Sequence, residues 1–263
     1  MDRLVVLTFS LLLGLAPLLA FGQKLEEDII KTSAGDLKIT FIGHASLMFT
    51  FGDKIIHVDP VTDEGNYKQL PQADLILITH DHYDHLDSEA LKILKKDSTM
   101  IVGPANCQSK APDLKVMKNG DRLNLLGLDV EAVPAYNLVH KRPDGQPFHP
   151  RGTGNGYVIT FGDKRVYVAG DTENIPEMKN LQNIDIAFLP MNLPYTMTPE
   201  MVAEAARWIK PKVLYPYHYG DTDTSRLVNL LKNTPEIEVR IRRMKYTAWQ
   251  IASNKTAGDE IIK

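Results

Sequence analysis

One stretch of the sequence constrains the fold more than any other: an apolar strand that ends in a dense cluster of histidines and aspartates. Residues 74–79 are mostly apolar and rich in β-branched side chains, which predicts a buried strand. Three histidines and two aspartates occupy five of the next six positions, from His80 to His85. A solvated, histidine-rich turn is the alternative, but chance rarely places so many ligand-type residues directly after a strand.

Backbone geometry suggests how this cluster binds metal. In an extended segment alternate side chains share one face, so His80, His82 and Asp84 are expected to converge. His85 then points the other way and is available to a second centre. Zinc sites use three or four nitrogen, oxygen or sulfur ligands at about 2.0–2.3 Å, and paired metals about 3.5–4 Å apart suit hydrolysis.

Composition excludes several classes of protein. With 263 residues, 43% of them hydrophobic, the chain can bury a sizeable core in one large domain or two small ones. A net charge of −3 gives no general attraction to nucleic acid. The basic run over 240–245 contains apolar residues, which favours the solvent face of a strand. Cys107 is the only cysteine, so no intrachain disulfide can form, and a buried thiol is expected.

The first 22 residues have the pattern of a secretory signal. Arg3 precedes an apolar run over 4–19, and Ala20-Phe21-Gly22 supplies small residues before an expected cut at Gln23. An uncleaved anchor is the alternative, but the run is near the lower length limit for a membrane span and contains a glycine and a proline. We expect residues 1–22 to be removed and 23–263 to form one exported domain, periplasmic or extracellular, without a membrane span.

The two halves of the chain share an order of elements. Strands are predicted over 37–42, 46–51 and 54–58, then a helix capped by Asp87; the charged residues before them are expected to be a loose lead-in. In the second half, strands over 157–161, 165–169, 185–189 and 212–218 accompany a helix that Thr198 and Pro199 begin. A helix over 224–231 and strands over 238–241 and 248–251 close the chain. Between the halves, the irregular region 134–156 is long enough to be functional or mobile.

Three predicted strands end in ligand-type residues: His80, Asp171 after Gly170, and His218. Functional sites of sheet-based α/β proteins gather at strand ends, where rigid elements position loop residues. A metal site is the best single explanation for the three endings. His44, between the first two strands, is either a structural histidine or part of that site.

These motifs resemble those of the metallo-β-lactamase superfamily over about residues 37–251. The resemblance rests on His80-x-His82-x-Asp84-His85, Gly170-Asp171-Thr172 and Pro216-Tyr217-His218-Tyr219-Gly220. Gly43-His44-Ala45-Ser46 and the helix opening over 196–200 resemble one branch. That branch includes L-ascorbate-6-phosphate lactonase and N-acyl-phosphatidylethanolamine phospholipase D.

The resemblance implies an α/β fold, an αββα sandwich of two mixed sheets flanked by helices. It also implies two divalent metal ions, usually zinc, with manganese or iron as alternatives. Matched to this sequence, the first metal would be bound by His80 and His82, the second by Asp84, His85 and His218, and both by Asp171. A hydroxide between the metals would attack the substrate. Asp84, Asp171 and His44 are the candidate catalytic residues.

Two positions depart from the family pattern. Asp171 stands where the best-known β-lactamases have cysteine, which disfavours β-lactams as substrates. Asn137 stands where the third histidine of the first metal is expected. His149 is the predicted replacement, His140 is its rival, and a surface role for both stays open.

The predicted function is therefore hydrolysis of an ester, lactone or phosphodiester in a small-molecule or lipid-like substrate. A di-iron oxidoreductase of the same fold is one alternative, although those enzymes carry glutamate where His82 stands. A non-catalytic metal-binding protein is another. Neither the substrate nor the oligomeric state follows from the sequence. For Tyr195 and Tyr219, packing is favoured over a hydrogen bond to a developing oxyanion.

Overall fold

Two seven-stranded sheets form the centre of the molecule in this computed structural model, which describes residues 25–244. The first sheet contains β1 (Glu26–Thr32), β2 (Gly35–Gly43), β3 (Ser46–Phe51), β4 (Lys54–Val58), β5 (Leu75–Leu77), β6 (Met100–Gly103) and β7 (Lys115–Val116). The second contains β8 (Arg122–Leu125), β9 (Leu128–Ala135), β10 (Gly154–Phe161), β11 (Lys164–Val168), β12 (Ile186–Pro190), β13 (Val213–Tyr217) and β14 (Glu238–Val239).

Both sheets are mixed, and both follow the same plan. Strands β1 to β4 pair antiparallel and β4 to β7 parallel. Strands β8 to β11 pair antiparallel and β11 to β14 parallel. The predicted αββα sandwich and the shared order of the two halves are confirmed.

Among the described residues, three α-helices cover the sheets: α1 (Ser88–Leu94), α2 (Pro199–Ile209) and α3 (Thr224–Leu231). Their starts follow the predicted caps, since the Asp87 side chain accepts from Glu89 N and the Thr198 side chain accepts from Met201 N. Single 3₁₀ turns occupy Tyr67–Gln69, Ala105–Ser109 and Pro176–Asn180. No helix within residues 25–244 is long and apolar enough to cross a membrane.

Aromatic side chains from both sheets fill the space between them. Phe41 and Phe49 of the first sheet contact Phe161, Phe188 and Tyr215 of the second, with ring centroids 5.0–6.2 Å apart. All five are at most 1% exposed. Each such side chain contributes roughly 1.5–3 kcal/mol on burial, so this layer helps to hold the two sheets against each other.

The lead-in prediction was wrong, because part of that segment is the edge strand β1. It pairs with β2 along its full length, from Glu26 opposite Phe41 to Thr32 opposite Gly35. Main-chain hydrogen bonds to β2 do not require an apolar side-chain pattern, so a strand with exposed polar side chains such as Lys31 can pair there. The predicted strand over 248–251 lies outside the described residues.

Candidate metal centre

The first ligand cluster consists of His80, His82 and His149. One ring nitrogen from each histidine lies within 4.8 Å of the other two. His80 follows β5, whereas His149 comes from the long loop between β9 and β10. The structure therefore places the predicted replacement histidine beside the first two histidines of the motif.

The second cluster consists of His44, Asp84, His85 and His218, whose ligand atoms also lie within 4.8 Å of one another. Asp84 Oδ2 lies 3.2 Å from His44 Nε2, 3.6 Å from His218 Nε2 and 3.9 Å from His85 Nε2. The sequence left open whether His44 faces the site, and the structure places its imidazole there.

Asp171 lies between the two clusters. Its Oδ2 is 3.2 Å from His149 Nε2, 3.4 Å from His218 Nε2 and 4.0 Å from His80 Nε2, and its Oδ1 is 3.3 Å from His85 Nε2. One buried carboxylate therefore faces imidazoles of both clusters, as a residue shared by two cations would.

A turn, not an extended segment, separates Asp84 and His85 from the first two histidines. His85 N and Leu86 N both donate to His82 O, at 3.1 and 2.9 Å. The expectation that Asp84 shares one face with His80 and His82 was wrong for this reason. The turn directs Asp84 and His85 into the second cluster, the grouping that the family resemblance implied.

Several residues at this edge of the sandwich adopt uncommon backbone conformations. His44, Asp59 and His218 have positive φ values of 49°, 45° and 48°, which non-glycine residues rarely adopt and which often mark functional sites. Gly170, before Asp171, has φ +66°, and a Cβ there would lie 2.8 Å from Asn155 O. Glycine at this position lets β11 approach its neighbours closely enough to present Asp171.

Asp59 fixes the orientation of two of the histidines from behind. Its Oδ1 accepts from Thr79 N at 2.7 Å, and its Oδ2 accepts from His85 Nδ1 at 2.8 Å and from Thr79 Oγ1 at 2.6 Å. Because the Thr79 hydroxyl hydrogen goes to Asp59, its oxygen accepts from His80 Nδ1 at 3.0 Å. His80 and His85 therefore both use Nδ1 toward the protein and direct Nε2 at the site, as metal-binding histidines do.

Unsatisfied polar atoms show that these residues fit a cation. Within residues 25–244, the buried side-chain nitrogen and oxygen atoms without a hydrogen-bond partner are His57 Nδ1, His80 Nε2, His85 Nε2, Asp171 Oδ1 and both ring nitrogens of His218. All except the first belong to the two clusters or to Asp171, which lies between them. Buried polar atoms normally have partners, and a set of imidazole and carboxylate groups is one that divalent metal ions such as zinc bind.

The charges of the cluster residues perturb one another strongly. Burial alone would raise the pKa of Asp171, but His218 and His85 hold it well below its ordinary value. Burial alone would lower the pKa of His85, but Asp171 and Asp59 raise it well above its ordinary value. Burial, together with His85, holds the pKa of His80 well below its usual range. Protons and a metal cation therefore compete for the same atoms.

His140 does not reach the clusters. Its Nδ1 lies 2.7 Å from Glu173 Oε1, and it belongs to none of the groups of potential metal ligands among the described residues. Asn137 is also not placed as a metal ligand, because its side-chain oxygen accepts a hydrogen bond from His149 Nδ1 at 2.7 Å. Of the three rivals for the third position, His149 alone offers a ring nitrogen beside His80 and His82.

A cavity of about 480 Å³ opens onto the clusters. Its base includes Asp84, Asp171 and His218, and its rim carries the side chains of Tyr83, Arg142, Phe148 and Tyr195. Tyr83 and Tyr195 are exposed, and Tyr195 packs edge-on against Phe148 with ring centroids 5.1 Å apart. A polar base beneath an aromatic rim suits a molecule with a reactive polar group and an apolar part.

The family model for the beta-lactamase superfamily domain matches residues 38–218. That span contains both ligand clusters. The chain belongs to the metallo-β-lactamase superfamily.

Comparison with individual relatives assigns the chain to one family within the superfamily. A UPF0173 metal-dependent hydrolase from Methanopyrus kandleri is 32% identical over 197 residues, which cover 70% of this chain and 84% of the relative. A crystal structure of a proposed metal-dependent hydrolase from Parabacteroides distasonis is 50% identical, with a TM-score of 0.81, and covers 84% of this chain and 100% of its own. The chain is thus a member of the UPF0173 family of metal-dependent hydrolases.

One structure of lower sequence identity shares the fold alone. CmlA, a diiron β-hydroxylase from Streptomyces venezuelae, matches with 18% identity and a TM-score of 0.63, over 83% of this chain and 54% of CmlA.

Sequence reasoning missed three acidic residues that the superfamily fold brings to the site. Asp59 had one signal, its position at the end of a strand before a proline. Glu64 lines the cavity, where burial raises its pKa to about 7; no pattern in the sequence indicates it. Glu173 follows the Gly170-Asp171 motif and is fully buried. Tyr219 packs as predicted and donates to Arg242 O at 2.8 Å, whereas Tyr195 lies on the cavity rim.

Proposed function

We propose that the protein is a di-zinc hydrolase that cleaves an ester, lactone or phosphodiester bond. In this proposal His80, His82 and His149 hold one metal, Asp84, His85 and His218 hold the other, and Asp171 contacts both. The observation that carries the proposal is the position of Asp171, within 3.2–4.0 Å of imidazoles from both clusters. Paired metals at such a site lower the pKa of bound water and stabilise charge on the attacked group.

The chain's own residues have separate roles in this proposal. Asp59 holds His85, and through Thr79 also His80, in the tautomer that binds metal. His44 lies on the cavity wall, where its Nε2 is hydrogen-bonded to Asp84 Oδ2 at 3.2 Å. From there His44 can hold or pass a proton beside the bond that breaks. Replacing His44 by asparagine should then reduce turnover while both metals stay bound; loss of a metal would assign His44 to the ligands instead.

The cavity supports a small or amphiphilic substrate. Its volume of about 480 Å³ suits one small molecule or the reactive end of a longer one. The aromatic rim offers Tyr83, Phe148 and Tyr195 to an apolar group. The net charge of −3 opposes long nucleic acid, which depends on many phosphate contacts. The resemblance of Gly43-His44-Ala45-Ser46 to lactonase and phospholipase relatives favours the same bond types.

A di-iron oxidoreductase is the second candidate, supported only by the shared fold of CmlA. The histidine at position 82, where such enzymes carry glutamate, argues against it. Iron in the purified protein, together with oxygen-dependent turnover, would favour this alternative over hydrolysis.

A substrate panel tests the proposed bond type. It contains nitrocefin, homoserine lactones, aryl esters, bis-aryl phosphodiesters and structured RNA, each assayed with the zinc-loaded enzyme. The His218→Ala variant reports contaminating activity, because it lacks a proposed ligand. We expect an ester, lactone or diester to be the fastest substrate. Nitrocefin or RNA turning over far faster than all of these, with loss in the variant, would contradict the proposal.

We also propose that the protein is exported and that residues 1–22 are removed. The support is the pattern of Arg3, an apolar run and small residues before Gln23. Fractionation and N-terminal sequencing of the native protein check this, with a new N-terminus near Gln23 as the expected result. Exported protein that still begins at Met1 or Asp2 would count against cleavage.

A further inference from the structure

We infer that Asn137 and Glu173 are positioning residues that together orient His149 toward the metal. The inference rests on the proposed function, because it requires His149 to be a ligand. Neither residue belongs to the proposed ligand set. They form a chain of contacts from a buried carboxylate, through an amide, to an imidazole.

Glu173 anchors the loop that follows β9. Its Oε2 accepts from Leu138 N and Val139 N, both at 2.7 Å. Its Oε1 accepts from His140 N at 2.7 Å, from Asn137 Nδ2 at 3.1 Å, and is 2.7 Å from His140 Nδ1. The carboxylate is fully buried, and hydrogen bonds to a charged acceptor are stronger than neutral ones. This part of the loop is therefore held against the segment that carries Asp171.

The contacts of Asn137 determine the orientation of its amide. Its Nδ2 lies 3.1 Å from Glu173 Oε1 and 2.9 Å from Tyr195 O. A carboxylate and a main-chain carbonyl can only accept, so the NH₂ group must face them. The side-chain oxygen consequently faces the other way, where it accepts from His149 N at 2.8 Å and meets His149 Nδ1 at 2.7 Å.

The orientation of the amide in turn determines the tautomer of His149. Because Asn137 Oδ1 can only accept, Nδ1 of the imidazole must carry the hydrogen. In the neutral ring Nε2 is then the free nitrogen, and it lies 3.2 Å from Asp171 Oδ2, with His80 and His82 nearby. An outer partner of this kind fixes ring orientation and typically contributes 10–100-fold to metal affinity.

These contacts from Glu173 through Asn137 to His149 also explain why position 137 differs from the superfamily pattern. The superfamily pattern expects a histidine ligand there, and this chain has an asparagine. In our assignment the residue at 137 acts through His149 instead of binding metal itself. The ligand then comes from twelve residues further along the same loop, whose conformation Glu173 holds.

A double-mutant cycle on zinc affinity tests the assignment. Metal-free protein is titrated with zinc against a chromophoric chelator, for Asn137→Leu, His149→Ala and the double variant. We expect Asn137→Leu to weaken one of the two zinc sites about 10–100-fold. The double variant should bind zinc no more weakly than His149→Ala, because a residue that acts only through His149 has no effect without it.

Glu173→Gln should likewise weaken that zinc site in the otherwise native protein and have no further effect beside His149→Ala. Glu177→Gln is the matched control. Glu177 accepts from Tyr136 Oη and from Arg151 but has no hydrogen bond to Asn137 or His149. We expect this variant to keep native zinc affinity.

Circular-dichroism melting of each metal-free variant checks folding. If Asn137→Leu does not fold, Asn137→Ala takes its place in the cycle. Additive losses, or native zinc affinity in the Asn137 variant beside a loss in His149→Ala, would overturn the positioning role and leave the proposed ligands intact. Native affinity in His149→Ala would instead refute the ligand assignment, and the positioning role with it.

Discussion

Single residues of the candidate centre are held by neighbours that lie outside the two clusters. His80 and His85 are oriented by Thr79 and Asp59, so one nitrogen of each ring is committed before any ion arrives. The separate loop residue His149 completes the first cluster. Pre-orientation of this kind means that the ligand geometry depends on the folded chain and not on the ion alone.

The comparison of His149 with His140 tests this arrangement at the residue scale. We expect His149→Ala to weaken one zinc site by more than about 100-fold, since outer partners alone contribute 10–100-fold. His140→Ala should leave zinc affinity nearly unchanged, because the His140 ring contacts Glu173 and neither ligand cluster. Competitive zinc titration measures both. A loss confined to His140→Ala would reverse the assignment.

His57 makes folding stability depend on pH away from the metal centre. The ring is fully buried, its Nε2 donates to Pro71 O at 3.1 Å, and burial lowers its pKa from 6.5 to about 4. Because the folded-state pKa lies below the unfolded one, the unfolded chain binds more protons between these values. Stability is therefore lost as pH falls from about 6.5 to about 4 and changes no further below that.

We expect His57→Phe to have a flatter pH dependence of stability than the native protein. Between pH 7.5 and pH 5, His57 should account for about 2 kcal/mol of lost unfolding free energy. Denaturant unfolding of both metal-free proteins at the two pH values isolates this contribution from that of other groups. Parallel pH dependences would show that His57 is not held neutral in the folded state.

At the scale of elements, the edge strand β1 is tied to the end of the described chain. Asp28 on β1 accepts from the Arg242 guanidinium at 2.8 Å on both carboxylate oxygens, and it also accepts from the hydroxyl of Tyr215 on β13. The Asp28 side chain is 13% exposed. One carboxylate thus joins the first sheet to the second sheet and to the segment after β14.

We expect Asp28→Asn to lower the unfolding free energy by about 2 kcal/mol, since it weakens several charge-assisted hydrogen bonds that are partly shielded from water. Asp36→Asn is the matched control, because Asp36 forms an exposed pair with Lys31. That change should stay within about 0.5 kcal/mol. Equal effects in urea denaturation would mean that the Asp28 cluster carries no special stability.

Elements with a strong local signal were predictable from the sequence. Apolar alternation and turn residues revealed the hairpins around Gly52 and Gly162, and the caps at Asp87 and Thr198 fixed two helix starts. Strand β1 escaped prediction because its sequence is mostly polar and charged, and it is held by pairing with β2 along its full length. A pattern of side chains cannot reveal an edge strand whose pairing is mainly through the main chain.

Some residues of the candidate site could likewise be predicted from the sequence, and others could not. Residues adjacent in the motif, such as His80 and His82, were identifiable because a local spacing carries them. The grouping of Asp84 depended on a turn that an extended backbone would not make. Asp59 and Glu173 act through tertiary hydrogen bonds, to His85 and to Asn137, which no short sequence spacing encodes.

At the scale of the whole molecule, the two halves of the chain have the same order of strands, and the ends of strands from both halves meet at one edge of the sandwich. The first half supplies His80 to His85 after β5, and the second supplies Asp171 after β11 and His218 after β13. The long loop between β9 and β10 adds His149. A centre built from both halves exists only when the two sheets pack together, so metal binding should stabilise the sandwich as a unit.

The most direct test of this account is the metal content of the purified protein, measured by elemental analysis beside protein concentration. We expect two metal ions per chain, predominantly zinc, in the native protein. His82→Ala should hold fewer, and Asp171→Ala should lose most of both metals and all turnover, because Asp171 faces both clusters. Full activity in demonstrably metal-free native protein, or two metals retained in Asp171→Ala, would contradict the account.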